Sequence, residues 1–279
     1  MITEKILIGN KYGTGIFNIE FMIPRNMILQ DMKLRWKVAW IASLLYIAYL
    51  FAGQVPQLRN TPYFSSMIVS FLLIVVYLIS SLLLTGWKKS LQLLALGWLV
   101  GYSMEFLSIN TGIPFGTYYY TAALGPKLGP VPIFIPFLWS SLFFYAMEAS
   151  SIFLAPFLMV TFDLSFDPRY SKELWHWTVP TQYFGDPVSN FIGWFLVSLL
   201  IAFILYLLNF KINNSGKTIL PALVFYILFG LDNTISDYRA GLGEAGMISM
   251  IIIMVIFLLL LLTKYFKSSG KMGNIRNLQ

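Results

Sequence analysis

The chain has no cysteine, which excludes a disulfide framework and any thiolate metal site and leaves the redox compartment unread. It has one histidine, His176. The clustered-imidazole iron sites of membrane desaturases and hydroxylases need several such ligands at helical spacing, so they are excluded too. Charge is also scarce: 11% of the 279 residues are charged, against roughly a quarter in a soluble domain. In its place, 58% of the residues are hydrophobic and the mean hydropathy is +0.73. A soluble domain of this length has too little interior to hide that much apolar surface. The expected class is all-α: a polytopic transmembrane helical bundle.

Apolar stretches near residues 38–53, 66–86, 91–108, 131–147, 149–165, 188–209, 218–235 and 245–265 give eight candidate spans. The fourth and fifth nearly merge. A single helix over 131–165 would be about 50 Å long against a hydrocarbon core of roughly 30 Å, so Glu148 is expected to mark a turn. Without that turn the count is seven. Residues 1–36 hold no apolar run followed by a small-residue cleavage site and are expected along the membrane surface. Residues 37–266 form one transmembrane domain, and 267–279 read as a disordered tail.

Basic residues test the count, because Lys and Arg concentrate in cytoplasmic loops. With eight spans, 14 fall on one side, among them Lys11, Lys88, Lys89, Lys211, Lys217 and Lys264, and 5 on the other: Arg59, Lys127, Arg169, Lys172 and Arg239. The asymmetry favours both termini in the cytoplasm of a cell-membrane protein. The net charge of +7 is then juxtamembrane and gives no argument for nucleic acid.

Polar motifs interrupt the spans at the other face. They are Glu105 with the following segment to Tyr120, Asp163 to Pro168, Tyr183 to Asn190, and Asp232 to Asp237. A carboxylate inside a span costs on the order of 2.5–3.5 kcal/mol, which makes Glu105 and Asp163 functional candidates by default; the alternative is a structural acid bonded to a neighbouring helix. Asp163 and Asp167 share a face if their helix continues, but Pro168 favours an extended Asp167. Thr111-Gly-Ile-Pro-Phe-Gly116 reads as a turn and lacks the spacing of a phosphate-binding loop. Tyr118, Tyr119, Tyr120, Trp175, Trp177 and Tyr183 fit an interfacial aromatic belt as well as a site, and His176 between two tryptophans reads as a belt residue. Trp139 and Trp194 lie deeper and are expected to wall a cavity.

These motifs carry a resemblance. Glu105 with Thr111–Thr121, Leu128-Gly-Pro-Val-Pro-Ile-Phe-Ile-Pro-Phe-Leu-Trp139, Asp163-Leu-Ser-Phe-Asp-Pro168, and Trp175-His-Trp177 through Tyr183-Phe-Gly-Asp-Pro-Val-Ser-Asn190 to Trp194 resemble the CruF-type carotenoid biosynthesis family, which includes membrane carotenoid hydratases. The likeness covers roughly residues 95–200. The connection at Glu148 is shorter than in the family pattern, which bears on substrate identity.

The resemblance implies addition of water to the terminal double bond of an acyclic carotenoid or related polyisoprenoid, without metal or other cofactor. Its partners would be that lipophilic substrate and membrane lipids. Protonating a trisubstituted alkene gives a tertiary cation, so the chemistry needs a neutral acid, electron-rich faces and a base. Glu105 or Asp163 fits the acid. Asp167 or Asp186 fits the base that activates water, with Asn190 orienting it. Phe115, Tyr118, Trp139, Tyr183 and Trp194 would receive the substrate. Two other readings stay open: a Mg²⁺-dependent intramembrane prenyltransferase, for which the acidic pairs Asp163/Asp167 and Asp232/Asp237 speak, and a proton- or cation-coupled transporter.

Overall fold

The computed structural model describes residues 2–7, 18–23, 25–171, 173–210 and 219–276. Lys11, Lys172, Lys211 and Lys217 of the charge count and the last three residues of the tail segment lie outside them.

Each apolar stretch coincides with a helix. An N-terminal antiparallel hairpin, β1 (Ile2–Leu7) and β2 (Asn18–Ile23), precedes helix α1 (Arg25–Ala52). The short α2 (Pro56–Arg59) leads to α3 (Ser66–Thr85), and Gly86 alone separates α3 from α4 (Trp87–Thr111). Strands β3 (Tyr118–Tyr120), β4 (Lys127–Leu128) and β5 (Val131–Pro132) then lead into α5 (Phe134–Ala149). The chain turns after Glu148 into α6 (Ala155–Tyr170), followed by β6 (Trp175–Trp177), α7 (Val188–Leu207), α8 (Ile219–Arg239) and α9 (Gly243–Arg276). Among the described residues, five segments are long and apolar enough to cross a membrane: Lys33–Ala52, Ser66–Thr85, Trp87–Thr111, Val188–Leu207 and Gly243–Thr263.

The bundle has an apolar core with buried polar groups in it, and its outer surface is apolar as well. Leu45, Phe203, Ile251 and Leu258 are each more than half exposed, whereas Ser43, Ser80 and Tyr145 are buried and hydrogen-bonded together, with Ser43 Oγ 3.1 Å from each partner. An apolar exterior with internally paired polar groups suits a lipid solvent, in which polar groups must find partners within the protein. Helix α5 is the axis. It packs against α3, α4, α6 and α8 and is buried nearly all round, as its uniformly apolar composition requires. Two glycines one turn apart on α4, Gly97 and Gly101, let α5 approach closely: a Cβ on them would stand 2.9 Å from Ser140 Cα and 2.7 Å from Trp139 Cδ1 respectively. Small residues at this spacing are a common helix contact in membranes. One turn further along the same stripe lies Glu105.

Helix α6 corrects one expectation. It remains helical through Asp167 and Pro168 to Tyr170, so Asp163 and Asp167 do share a face. Pro168 sits in the last turn and lacks an N–H, which leaves the carbonyl four residues earlier without its helical donor. That carbonyl, Leu164 O, accepts the Tyr183 hydroxyl at 3.1 Å. The tyrosine supplies from another segment the bond that the proline removes.

Candidate active site

The end of α4 is shaped by a tight turn. Gly112 takes the left-handed conformation (φ +83°) that ends the helix, and Ser108 Oγ accepts from Phe115 N at 3.0 Å while donating to Gly116 O at 2.8 Å. The chain is thereby folded back over Glu105. Strand β3 then pairs antiparallel with β6, with Tyr118 opposite Trp177, Tyr119 opposite His176 and Tyr120 opposite Trp175. Strand alternation sends Tyr118 and Tyr120 inward. Both are buried, whereas Tyr119 is exposed with His176 beside it at 5.3 Å, so the sole histidine faces away from the site.

Glu105 is buried and accepts three hydrogen bonds: from Tyr118 Oη and Tyr120 Oη (2.9 Å) on Oε2, and from Trp139 Nε1 (3.0 Å) on Oε1. An ionised carboxylate only accepts, so this shell is complete without a proton on Glu105. Burial first, and the neighbouring Glu105 second, push both phenols well above the usual tyrosine range. They are therefore held as O–H donors.

The second group stands on α6 and α7. Asn190 Nδ2 donates to Asp163 Oδ2 at 2.7 Å and to Asp167 Oδ2 at 2.5 Å, so one amide nitrogen bridges the two carboxyl groups. Asp186, fully buried in the turn before α7, accepts from Trp177 Nε1 at 2.6 Å.

Between these groups lies a cavity of about 40 Å³, lined by Glu105, Asp167 and Asn190 on its polar side and by Phe115, Tyr118, Trp139 and Trp194 among its aromatic walls. Trp139 stacks on Trp194 with centroids 4.3 Å apart and on Phe115 at 5.9 Å. The space has room for about three waters at most, since each needs roughly 10–15 Å³. The expected site residues fall into four places. Glu105, Asp167, Asn190, Phe115, Tyr118, Trp139 and Trp194 line the cavity, Asp163 stands behind Asn190, and Asp186 stands behind Trp177. Tyr183 is outside the lining and bonds α6 instead.

The family model for carotenoid biosynthesis proteins matches residues 63–259. This chain belongs to that family. Within the family's matched span lie all four helix ends that build the cavity. Bisanhydrobacterioruberin hydratase of Haloarcula japonica is 28% identical over 149 residues, which cover 46% of this chain and 47% of that protein. The match therefore spans about half the length of the curated relative. No solved structure matches the chain.

Several residues of this family member were not read as site residues from sequence. Tyr120 joins Tyr118 on Glu105, and Trp177 holds Asp186; their alternation with Tyr119 and His176 in two short aromatic runs was the available signal. The acids of α8 have separate partners. Asp237 pairs with Arg169 Nη1 at 2.8 Å and accepts from Ser165, while Asp232 accepts from Gln54 Nε2 at 2.6 Å. Among the described residues, no group of three or more His, Cys, Asp or Glu side chains is placed to hold a metal ion.

Proposed function

We propose that this protein is a membrane-embedded hydratase that adds water across the terminal isopropylidene double bond of an acyclic carotenoid or related polyisoprenoid. The observation that carries the reading is the meeting of Glu105 and Asp167 across a water-sized cavity walled by aromatic rings.

Asp167, sharing Asn190 with Asp163, gives its proton to the CH carbon of the alkene. The π pair forms the new C–H bond and leaves a tertiary cation on the neighbouring carbon. The rings of Trp139, Trp194 and Phe115 offer electron-rich faces to that cation, and the Glu105 carboxylate offsets its charge. A cavity water attacks the cation, forms the C–O bond and passes a proton to Glu105, from which cavity water returns it to the aspartate pair. The product is a tertiary alcohol, and no electron is gained or lost. This division assigns the proton to the aspartates, because Glu105 already has three donors around it and the aspartate pair has one shared amide.

The charge asymmetry supports an eight-span arrangement of residues 37–266 with both ends cytoplasmic and the site near the opposite face. A prenyltransferase would need its carboxylates free to hold Mg²⁺ and diphosphate, whereas Asp237 is engaged by Arg169 and Asp232 by Gln54. No observation favours transport. Expression in cells that make an acyclic carotenoid tests the proposal: the product should gain the mass of one water. A gain of one oxygen atom would indicate oxygenation, and unchanged carotenoid would contradict the reading.

A further inference from the structure

The cavity beside the acids, at about 40 Å³, has room for water but not for an isoprenoid end in addition, so the substrate needs another space. A second cavity of about 490 Å³ lies between α1, α3, α5, α6 and α8, within the roughly 300–1,000 Å³ usual for small-molecule sites. Its inner wall is apolar and aromatic. Phe162 stacks on Phe229 with centroids 5.1 Å apart and on Phe166 at 4.9 Å, and Tyr46 stands 6.4 Å from Phe229. Its outer rim is polar: Gln54 bridges Asp232 (2.6 Å), Ser236 (2.9 Å) and Arg239 (2.5 Å), tying the end of α1 to α8.

Leu138, Leu142 and Phe166 line both this chamber and the acid cavity. Leu138 and Phe166 also line a third space of about 30 Å³, so these two side chains stand where all three meet. We propose that the large chamber holds the polyene chain of the substrate, and that Leu138 and Phe166 form the gate through which its acyclic end reaches Asp167 and Glu105. This inference rests on the hydratase reading for the identity of its occupant. Two apolar side chains can part for a slim isopropylidene end by rotamer change, and the aromatic walls suit the flat face of a conjugated chain. Leu138 and Phe166 are thereby specificity-determining residues that take no part in proton transfer.

The test uses the full-length protein in detergent with two probes that carry the same isopropylidene end: an acyclic carotenoid, and citronellol, which is short. Leu73 lines the large chamber and not the acid cavity. Leu73→Trp should lower kcat/KM for the carotenoid roughly tenfold or more and leave citronellol hydration near wild type, whereas Leu138→Trp should abolish both. Leu73→Phe, a milder change, should shift the ratio in the same direction if the tryptophan variant does not fold. Undiminished carotenoid turnover in the folded Leu73 variants would overturn the proposal. A second readout separates it from the hydratase reading: carotenoid retained by Glu105→Gln protein, measured by its visible absorption, should fall by a similar factor when Leu73→Trp is added. Loss of retention with no hydration by wild type would retain the chamber and refute the chemistry, and hydration with unchanged retention would do the reverse.

Discussion

Asn190 donates its side-chain amide to Asp167 at 2.5 Å, joining the first turn of α7 to the last turn of α6. Because the same nitrogen reaches Asp163 at 2.7 Å, one amide sets the spacing of both acids. Asn190→Ala should lower turnover roughly a hundredfold to ten-thousandfold, the usual range for a disrupted acid–base group. Asn190→Asp should be worse, because it adds a third buried acid. Steady-state kinetics on folded protein checks this; turnover within about threefold of wild type in Asn190→Ala would remove the amide from the proposed mechanism.

Glu105 accepts on both oxygens, from Tyr118 and Tyr120 on one and from Trp139 on the other. In Glu105→Gln one acceptor becomes an NH₂ group facing a donor, which should destabilise the fold by about 1–3 kcal/mol and abolish turnover. Trp139→Phe removes one donor and keeps the ring, so it should cost about 1 kcal/mol and lower turnover less. Thermal unfolding in detergent, paired with activity, distinguishes the two.

Gly101→Ala and Gly193→Ala test the aromatic wall without touching an acid. A Cβ at Gly101 would stand 2.7 Å from Trp139 Cδ1, and one at Gly193 would stand 2.5 Å from Phe115 Cδ1 and 3.1 Å from Pro114 backbone. Both rings must move. Both variants should insert in the membrane yet lose roughly tenfold or more in kcat/KM, and Gly101→Ala should in addition change the Trp139 fluorescence.

Tyr118 and Tyr120 hold their protons more tightly when folded than the ordinary phenol value of about 10. A raised folded value contributes stability that is fully present below about pH 10 and is lost as pH rises further. Alkaline destabilisation should therefore begin near that pH in wild type and be shallower in Tyr118→Phe/Tyr120→Phe. Melting temperature followed from neutral pH upward checks the sign.

The helices and the meeting of the motifs were legible in sequence because apolar runs and their interruption by Glu105, Asp163 and Asn190 are one-dimensional signals. Four features were not. Gly97 and Gly101 look like ordinary glycines of an apolar helix until α5 is laid against them. The helical state of Asp167 depended on Tyr183 meeting the carbonyl that Pro168 leaves open, a tertiary bond that overrides the local preference. Gln54 and Asp232 are 178 positions apart, and no local pattern links them. Asp237 likewise reads as one of an acidic pair until Arg169 is found 2.8 Å away.

Arg169 and Asp237 give a further test of that last point. Arg169→Met alone leaves a fully buried Asp237 without its cation and should cost about 3–5 kcal/mol, whereas Arg169→Met with Asp237→Leu should recover most of that loss. A double-mutant cycle by thermal unfolding reads the coupling.

The measurement closest to the central claim is hydration of an acyclic carotenoid by purified protein in D₂O, with the product examined by mass spectrometry and NMR. Proton transfer from the aspartate pair predicts one non-exchangeable deuterium on the carbon next to the new tertiary alcohol, and no product from Asp167→Asn. A hydrated product without that deuterium, or full activity in Asp167→Asn, would contradict the account.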